Sequence, residues 1–372
     1  MSALDRLRRI QEELAHIFLE RGEVIAGALA ALLAGHHVLL IGPPGTAKSM
    51  LADELCRRLT GARYFQWLLT KFTTPEEVFG AISLRALERD EYLRVTTHKL
   101  PEAHVAFLDE VFKANSSILN ALLTVMNERR FHNGREVSVV PLVSLFGATN
   151  ELPEDDELQA LFDRFLLRYV VNYIDDDFRF LRMLQHHPVV ERTTLSLEDL
   201  RHLQAQVAAV DVPQHLLGAF ADVRHELGRQ QVIASDRRYR QAVDLLRAHA
   251  LVQARRTVTE DDLFLLQHVL WHEPGQRERV HAVIRRVLYG YVDEARELLF
   301  QSQELHDYAS RDWENTDLRS RAIVEAHTKL RHILAKITAI VDQARTAGRS
   351  VDQVEAMKQR IEHLQQQMLE AL

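Results

Sequence analysis

The sequence predicts an α/β protein with a three-layer core around a parallel sheet, followed by an all-helical domain and a C-terminal helical hairpin. Up to about residue 175, short apolar runs that end in polar residues alternate with helical patterns, as expected of parallel strands covered on both faces. Beyond about residue 176 the strand signals fade. Near the end of the chain, apolar residues recur every three or four positions, which is typical of packed helices.

The composition bounds the class of protein. The chain has 372 residues, 47% of them apolar and 27% charged, which predicts two or three domains with a sizeable core. The net charge of −7 argues against broad, charge-driven binding of nucleic acid. Cys56 is the single cysteine, which excludes an intrachain disulfide and a cysteine-based metal cage. The longest apolar run, VIAGALAALLAG, is shorter than the roughly 20 residues that a membrane helix needs, so we expect a cytoplasmic protein.

The elements of the core follow in order. Residues 4–18 carry apolar side chains on one helical face, and residues 23–34 predict a second, more apolar helix. The run HHVLLIG then predicts a buried strand that enters a loop, with a helix from about Lys48. The runs HVAFLDE (104–110) and LVSLFGATN (142–150) predict further strands. Because the carboxyl ends of parallel strands share one edge of a sheet, we expect a site where these runs end.

Two helix starts mark the domain that follows the core. Ser196 with Asp199, and Thr259 with Asp262, have the spacing of capping boxes, with aspartate in the usual glutamate position.

The tail contains two periodic apolar series, which break near Gly348. This pattern predicts an antiparallel helical hairpin over residues 316–372. We therefore predict a nucleotide-binding core over 1–190, a helical domain over 191–290 and a C-terminal helical region over 291–372.

Residues 42–49 read GPPGTAKS and match the nucleotide-phosphate loop G-x-x-x-x-G-K-[S/T] except at Ala47. In such loops, backbone N–H groups and a helix N-terminus point at the phosphates. We expect Lys48 to reach the β- and γ-phosphates and Ser49 to bind Mg²⁺. Alanine in place of the second glycine adds one methyl group and costs little if its φ angle is negative. The predicted nucleotide-binding residues of the loop are Gly42, Pro43, Pro44, Gly45, Thr46, Ala47, Lys48 and Ser49.

Asp109 and Glu110 end the apolar run VAFLDE. Two adjacent acids at the end of a buried strand are costly unless they hold a ligand, and the alternative is a strand that ends in a solvated acidic turn. With a phosphate loop upstream, we expect Asp109 to lie near Mg²⁺ and Glu110 to polarise a water for in-line attack on the γ-phosphate. Asn150 ends the next apolar run, where its amide could orient that water.

Arginines complete the predicted site. Arg164, in the segment LQALFDRFLLRYV, is expected on or after a short helix next to Asp163. A cation at this place could stabilise the charge that develops in phosphoryl transfer, supplied in cis or by a neighbouring subunit. Arg237 and Arg238 open a later helix, and a solvated basic face is the alternative interpretation of that pair.

Together these motifs resemble the AAA+ ATPases of the MoxR family, and within it the RavA subgroup. The resemblance extends over residues 1 to about 290 and is carried by LIGPPGTAKS, FTTPEEVFG, LPEAHVAFLDEVFKANSSILNALLTVMNERRFHNG, GATNELPE, LFDRFLLR and SDRRYRQAV. MoxR-type loops commonly have alanine at the position of Ala47. The resemblance implies an AAA+ P-loop core, an all-helical lid, assembly into a ring that is usually hexameric, and ATP with Mg²⁺ bound between subunits.

The resemblance also implies roles for single residues. Arg164 matches the arginine finger that acts on the ATP of the neighbouring subunit. Arg237 matches the lid arginine that senses the nucleotide in cis, with Arg238 as the second choice. Residues 18–25 are expected near the adenine.

The implied function is ATP-driven, chaperone-like remodelling or activation of a partner protein, and a von Willebrand factor A protein is the usual partner in this family. RavA has a domain inserted in its C-terminal helices through which it binds a lysine decarboxylase. Here the helices continue without such an insertion, so a lysine decarboxylase partner is not favoured.

A nucleic-acid translocase remains the alternative function, because related AAA+ helicases have similar inserts and hairpins. Residues 80–101 match the helix-2 insert, and residues 130–137 match the hairpin that faces the ring centre. The insert lacks a clear basic stripe, and the hairpin supplies only Arg130 and Arg135. This charge pattern favours a protein substrate over nucleic acid.

Overall fold

The computed structural model describes residues 1–153, 155–185, 192–311, 315–346 and 348–370. The chain divides into two compact units. The first unit comprises Met1–Val212 and Val232–Arg277, and the second comprises Pro213–Gln231 and Glu278–Leu372. The sequence-based boundary at 190/191 lies outside the described residues, and the three-part division of the chain stays a prediction.

The elements are numbered in chain order. The part of the chain before residue 150 forms α1 (Ala3–Ile17), α2 (Gly22–Ala34), β1 (Val38–Ile41), α3 (Lys48–Arg57), β2 (Leu59–Thr60), β3 (Tyr64–Leu68), α4 (Pro75–Phe79), α5 (Leu84–Leu87), β4 (Val105–Asp109), α6 (Ser116–Glu128), β5 (Arg130–Asn133), β6 (Glu136–Val139) and β7 (Ser144–Thr149). The part that follows forms α7 (Asp156–Arg164), β8 (Leu167–Val170), α8 (Asp177–Gln185), β9 (Leu195–Ser196), α9 (Leu197–Val207), α10 (Gln214–Arg229), α11 (Asp236–Val252), α12 (Arg277–Ala309), α13 (Thr316–Thr346) and α14 (Asp352–Glu370).

The core of the first unit is a five-stranded parallel sheet with the strand order β3-β4-β7-β1-β8. Strands β1 and β7 are buried along their whole length. Strand β4 is buried except at Asp109, its last residue, which is half-buried. Continuous apolar runs suit such strands because helices cover both faces of a parallel sheet. The predicted α/β fold is confirmed.

Because all five strands are parallel, the sheet has a carboxyl edge, where the strands end, and an amino edge, where they begin. Loop 42–49 follows β1, Glu110 follows β4 and Asn150 follows β7, so all three lie at the carboxyl edge. Arg164 ends α7 shortly before β8 begins, so it lies at the amino edge. Arg164 and the other three features therefore lie at opposite edges of the same sheet.

The predicted hairpin is present as the antiparallel pair β5–β6. Gly134 turns the chain with φ +64°, and a Cβ atom at this position would lie 2.1 Å from the Tyr92 carbonyl oxygen. The Asn133 side chain accepts a hydrogen bond from the Arg94 N–H at 2.7 Å and donates one to the Arg94 carbonyl at 3.1 Å. The hairpin tip is therefore fastened to the insert 80–101.

Both predicted capping boxes are present. The Ser196 side chain caps α9 together with Asp199, and Thr259 with Asp262 caps a 3₁₀ helix, Glu260–His268. The Asp262 carboxylate is fully buried and accepts hydrogen bonds from Arg255 at 2.6 and 2.7 Å. This ion pair, with the Thr259 N–H, lowers the pKa of Asp262 despite its burial.

The second unit is helical, with α10, α12, α13 and α14. The tail forms an antiparallel hairpin, since Arg345 near the end of α13 pairs with Glu355 near the start of α14. The apolar stripes of this hairpin are buried not only against each other but also against α12, from Val292 to Ala309. Among the described residues, no helix is long and apolar enough to cross a membrane.

Candidate functional site

Loop 42–49 is held tightly against the end of the sheet. The Gly42 N–H donates to the Thr149 carbonyl at 2.9 Å. A Cβ atom at Gly42 would lie 2.0 Å from the Val171 carbonyl oxygen, so glycine is required there. The Lys48 ammonium donates to the carbonyls of Gly42 and Pro43, each at 2.7 Å, and so lies over the loop.

The backbone of Ala47 does not meet the condition under which alanine would cost little, a negative φ angle. Ala47 has φ 63° and ψ 25°, in the left-handed region, and is the N-cap of α3. A Cβ atom in this region approaches the following carbonyl oxygen, which costs about 1–2 kcal/mol. Alanine therefore adds backbone strain to the loop in addition to one methyl group.

We expect Ala47→Gly to raise the free energy of unfolding by up to about 1 kcal/mol. Relief of about 1–2 kcal/mol of strain exceeds the roughly 0.4–1 kcal/mol by which glycine stabilises the unfolded chain. Urea unfolding without nucleotide would measure the change. The matched control is Ala52→Gly in the interior of α3, which should lose about 1 kcal/mol from helix propensity and more from its buried methyl group. Equal losses in both variants would show that Ala47 is not strained in solution.

Lys48 is within electrostatic range of Asp109 and Glu110, the two acidic residues predicted to belong to the site. Burial lowers the pKa of the Lys48 ammonium, and the carboxylates of Asp109 and Glu110 act in the opposite direction. The loop and the end of β4 therefore form one electrostatic site, although β7 lies between their strands.

Glu110 stands at a sharp change of chain direction. Its φ and ψ angles are 51° and 47°, again in the left-handed region, and a 3₁₀ turn, Val111–Lys113, follows. The Glu110 N–H donates to Asp109 Oδ1 at 3.1 Å, and Glu110 Oε2 lies 3.3 Å from the Lys113 ammonium. These contacts hold the carboxylate at the carboxyl edge.

Asn150 follows β7 between the phosphate loop and the acids. The Thr149 hydroxyl donates to the Glu151 carbonyl at 2.7 Å and accepts from the Glu151 N–H at 3.1 Å. This local turn ends the strand and leaves Asn150 exposed at the edge of the sheet.

The donor set at this edge fits Mg²⁺ bound together with phosphates. Among the described residues, no cluster of three or more His, Cys, Asp or Glu side chains could hold a metal by itself. The edge instead offers the Ser49 hydroxyl in the first turn of α3 and the Asp109 carboxylate. Mg²⁺ is usually bound in this way, by one or two protein oxygens, substrate phosphates and water.

A cavity of ≈ 360 Å³ borders the loop at Gly45, Thr46 and Ala47. Its lining is mainly apolar, which suits a purine base. The side chains opposite the loop include Phe18, Leu19, Arg21, Tyr173, Phe180 and Met183. The first three belong to the predicted segment 18–25. The last three follow β8, where no local motif in the sequence singles them out.

Arg237 lies at the amino edge of the sheet. Its guanidinium donates to the Asn127 side chain at 2.9 Å. Asn127 is in the last turn of α6, where the Met126 carbonyl is 3.2 Å from Nε2 of His37, the residue before β1. Burial lowers the pKa of Arg164, and the charge of Arg237 lowers it further, so the two guanidinium groups are within electrostatic range of each other.

The structure therefore does not bring Arg237 to loop 42–49 of its own chain. The strands of the sheet separate the two, which speaks against a contact of Arg237 with nucleotide in cis. The second choice, Arg238, is 2% exposed. Its guanidinium donates to Asp163 Oδ1 at 3.0 Å and to the carbonyls of Phe165 and Val269 at 2.6 and 2.5 Å. These bonds give Arg238 a structural role at the start of α11.

Comparisons with known proteins bear on the family and the fold. Residues 5–206 match the family described as the MoxR domain in the MoxR-vWA-beta-propeller ternary systems, and residues 215–284 match an AAA lid domain. An uncharacterised protein of Methanocaldococcus jannaschii is 40% identical over 293 residues, which cover 78% of this chain and 77% of that protein.

Two further relatives are more distant. The chaperone MoxR1 of Mycobacterium tuberculosis is 29% identical over 218 residues, 57% of this chain and 56% of its own. A crystal structure of a candidate ATPase from Cytophaga hutchinsonii superposes with a TM-score of 0.62 at 16% identity, over 76% of this chain and 94% of that chain. At this identity the likeness concerns the fold.

Proposed function

The chain belongs to the MoxR family of AAA+ ATPases, and on this premise we propose that it is a ring-forming, Mg²⁺-dependent ATPase that remodels or activates a partner protein. The observation that carries the proposal is the constellation at the carboxyl edge. There the phosphate loop, the acids that end β4 and the amide that follows β7 converge on one site. A cytoplasmic location is part of the proposal.

Each part of this site has a chemical task. The backbone N–H groups of the loop and the Lys48 ammonium bind the phosphates. Ser49 and Asp109 would hold Mg²⁺, which neutralises charge on the phosphate oxygens when it is bound. Glu110 accepts a proton from the attacking water, and Asn150 orients that water.

The site needs a second subunit because its two predicted arginines, Arg164 and Arg237, lie at the edge of the sheet opposite to the loop of their own chain. Arg164 and Arg237 both lie at the amino edge, within electrostatic range of each other. We propose that both reach the nucleotide of an adjacent subunit in a closed ring, where they stabilise the charge that develops on the γ-phosphate. A hexamer is the expected ring.

The partner is proposed from the family description, which names MoxR domains in systems with von Willebrand factor A proteins. We propose a protein of that type as the partner. We also propose that the core is related to the RavA subgroup. In the described part of the tail, α12, α13 and α14 form one bundle, which gives no support for a lysine decarboxylase partner.

Capture from the native cell tests this function. We expect Glu110→Gln, loaded with ATP, to retain a protein with a von Willebrand factor A domain. The matched control is Lys48→Ala, which should not retain it because its ATP state does not form. Recovery of the same protein with both variants would contradict ATP-dependent engagement. ATPase activity that rises several-fold with DNA or RNA, without such a partner, would favour the translocase instead.

A further inference from the structure

Lys113 is a basic side chain in the carboxyl-edge site that the proposed function does not yet use. It ends the 3₁₀ turn after Glu110, and its ammonium lies 3.3 Å from Glu110 Oε2. Its backbone N–H also donates to the Glu110 carbonyl at 2.8 Å. Lys113 thus contacts both the backbone and the carboxylate of Glu110.

Glu110 needs such support because its backbone is strained. A left-handed conformation is unfavourable for a residue other than glycine, and it persists only where the surroundings impose it. The Asp109 carboxylate accepts a hydrogen bond from the Glu110 N–H, and the Lys113 N–H donates one to the Glu110 carbonyl. Strain of this kind concentrates at functional sites, where it places a side chain.

We propose that Lys113 is a positioning residue that holds the Glu110 carboxylate in the orientation for water attack, an inference that rests on the proposed ATPase function. Lys113 engages Oε2, which leaves Oε1 to accept the proton of the water. The Lys113 and Glu110 side chains are 40% and 22% exposed. Because exposed ion pairs add little to folding stability, the contribution of this pair lies in orientation.

The test separates hydrolysis from binding. We expect Lys113→Met to lower kcat by about 10- to 100-fold, because small displacements of a catalytic group have effects of this size. The Kd for labelled ATP and the melting temperature should stay unchanged. Lys113→Arg should retain most of the activity. The matched control is Lys329→Met on α13, which breaks an exposed pair with Glu325 of 2.7 Å and should leave kcat unchanged.

A double variant shows whether Lys113 acts through Glu110. Glu110→Gln combined with Lys113→Met should be no slower than Glu110→Gln alone, since the group to be positioned is already gone. A loss that multiplies in the double variant would overturn the proposal. Normal turnover of Lys113→Met beside a slow Glu110→Gln would also overturn it and leave the ATPase function standing. Normal turnover of Glu110→Gln would contradict both the role of Lys113 and the proposed ATPase mechanism.

Discussion

Replacing Glu110 by glutamine should slow ATP hydrolysis by about 10²- to 10⁴-fold, the usual contribution of a positioned general base. Glutamine keeps the shape of the side chain but cannot take the proton of the attacking water. ATP binding should persist, because the loop N–H groups and Lys48 act on the phosphates independently of that proton transfer. Release of phosphate and equilibrium binding of labelled ATP measure the two effects separately.

Two controls accompany this variant. Lys48→Ala should lose ATP binding itself, because it removes the cation that lies over the loop. Glu325→Gln makes the same substitution at an exposed position of α13 and should change neither quantity. Turnover of Glu110→Gln at the rate of the unaltered protein would exclude Glu110 as the general base.

The carboxyl-edge residues could be predicted because their signals are local. A glycine-rich loop ending in Lys48 and an apolar run ending in Glu110 are each contiguous in the sequence. Parallel strands then bring such ends together at one edge without further information. Asn150 is predictable for the same reason, because its strand β7 pairs with both β1 and β4.

The strain in the loop and the place of Arg237 could not be read in this way. The φ angle of Ala47 depends on how the loop closes between β1 and α3, which the motif does not encode. Arg237 opens α11, and its position follows from the packing of that helix on α2, far away in the sequence. The motif therefore singles out Arg237 as a candidate site residue, but it does not predict at which edge of the sheet Arg237 lies.

The tail shows a similar limit. Periodicity predicted the helices α13 and α14 and their turn at Gly348. It could not show that α12 packs in the same core, because an apolar stripe predicts a buried face but not the helix that covers it. Two residues of the cavity beside loop 42–49 also lacked a local motif, since Tyr173 lies in the irregular segment after β8 and Phe180 is one apolar side chain of α8.

Arg164→Ala should lower the ATPase rate per subunit by about 10³-fold or more, the effect of removing a cation from the transition state of phosphoryl transfer. Because Arg164 lies at the edge opposite to the loop, we expect this loss to be repaired between subunits. Mixing Arg164→Ala, which keeps Lys48, with Lys48→Ala, which keeps Arg164, should restore part of the activity. The rate per subunit should also rise steeply with protein concentration.

A second mixture shows whether Arg237 acts on the nucleotide of its own subunit or of the neighbouring one. If Arg164 and Arg237 both serve the neighbouring subunit, as their proximity indicates, then mixing Arg164→Ala with Arg237→Ala gives no complete interface and no rescue. If Arg237 instead acted within its own chain, an Arg164→Ala subunit beside an Arg237→Ala subunit would form one complete site, and activity would return. Light scattering on each mixture confirms that rings form. Rescue in this mixture would therefore contradict the shared arginine edge, and activity independent of concentration down to the nanomolar range would contradict the ring itself.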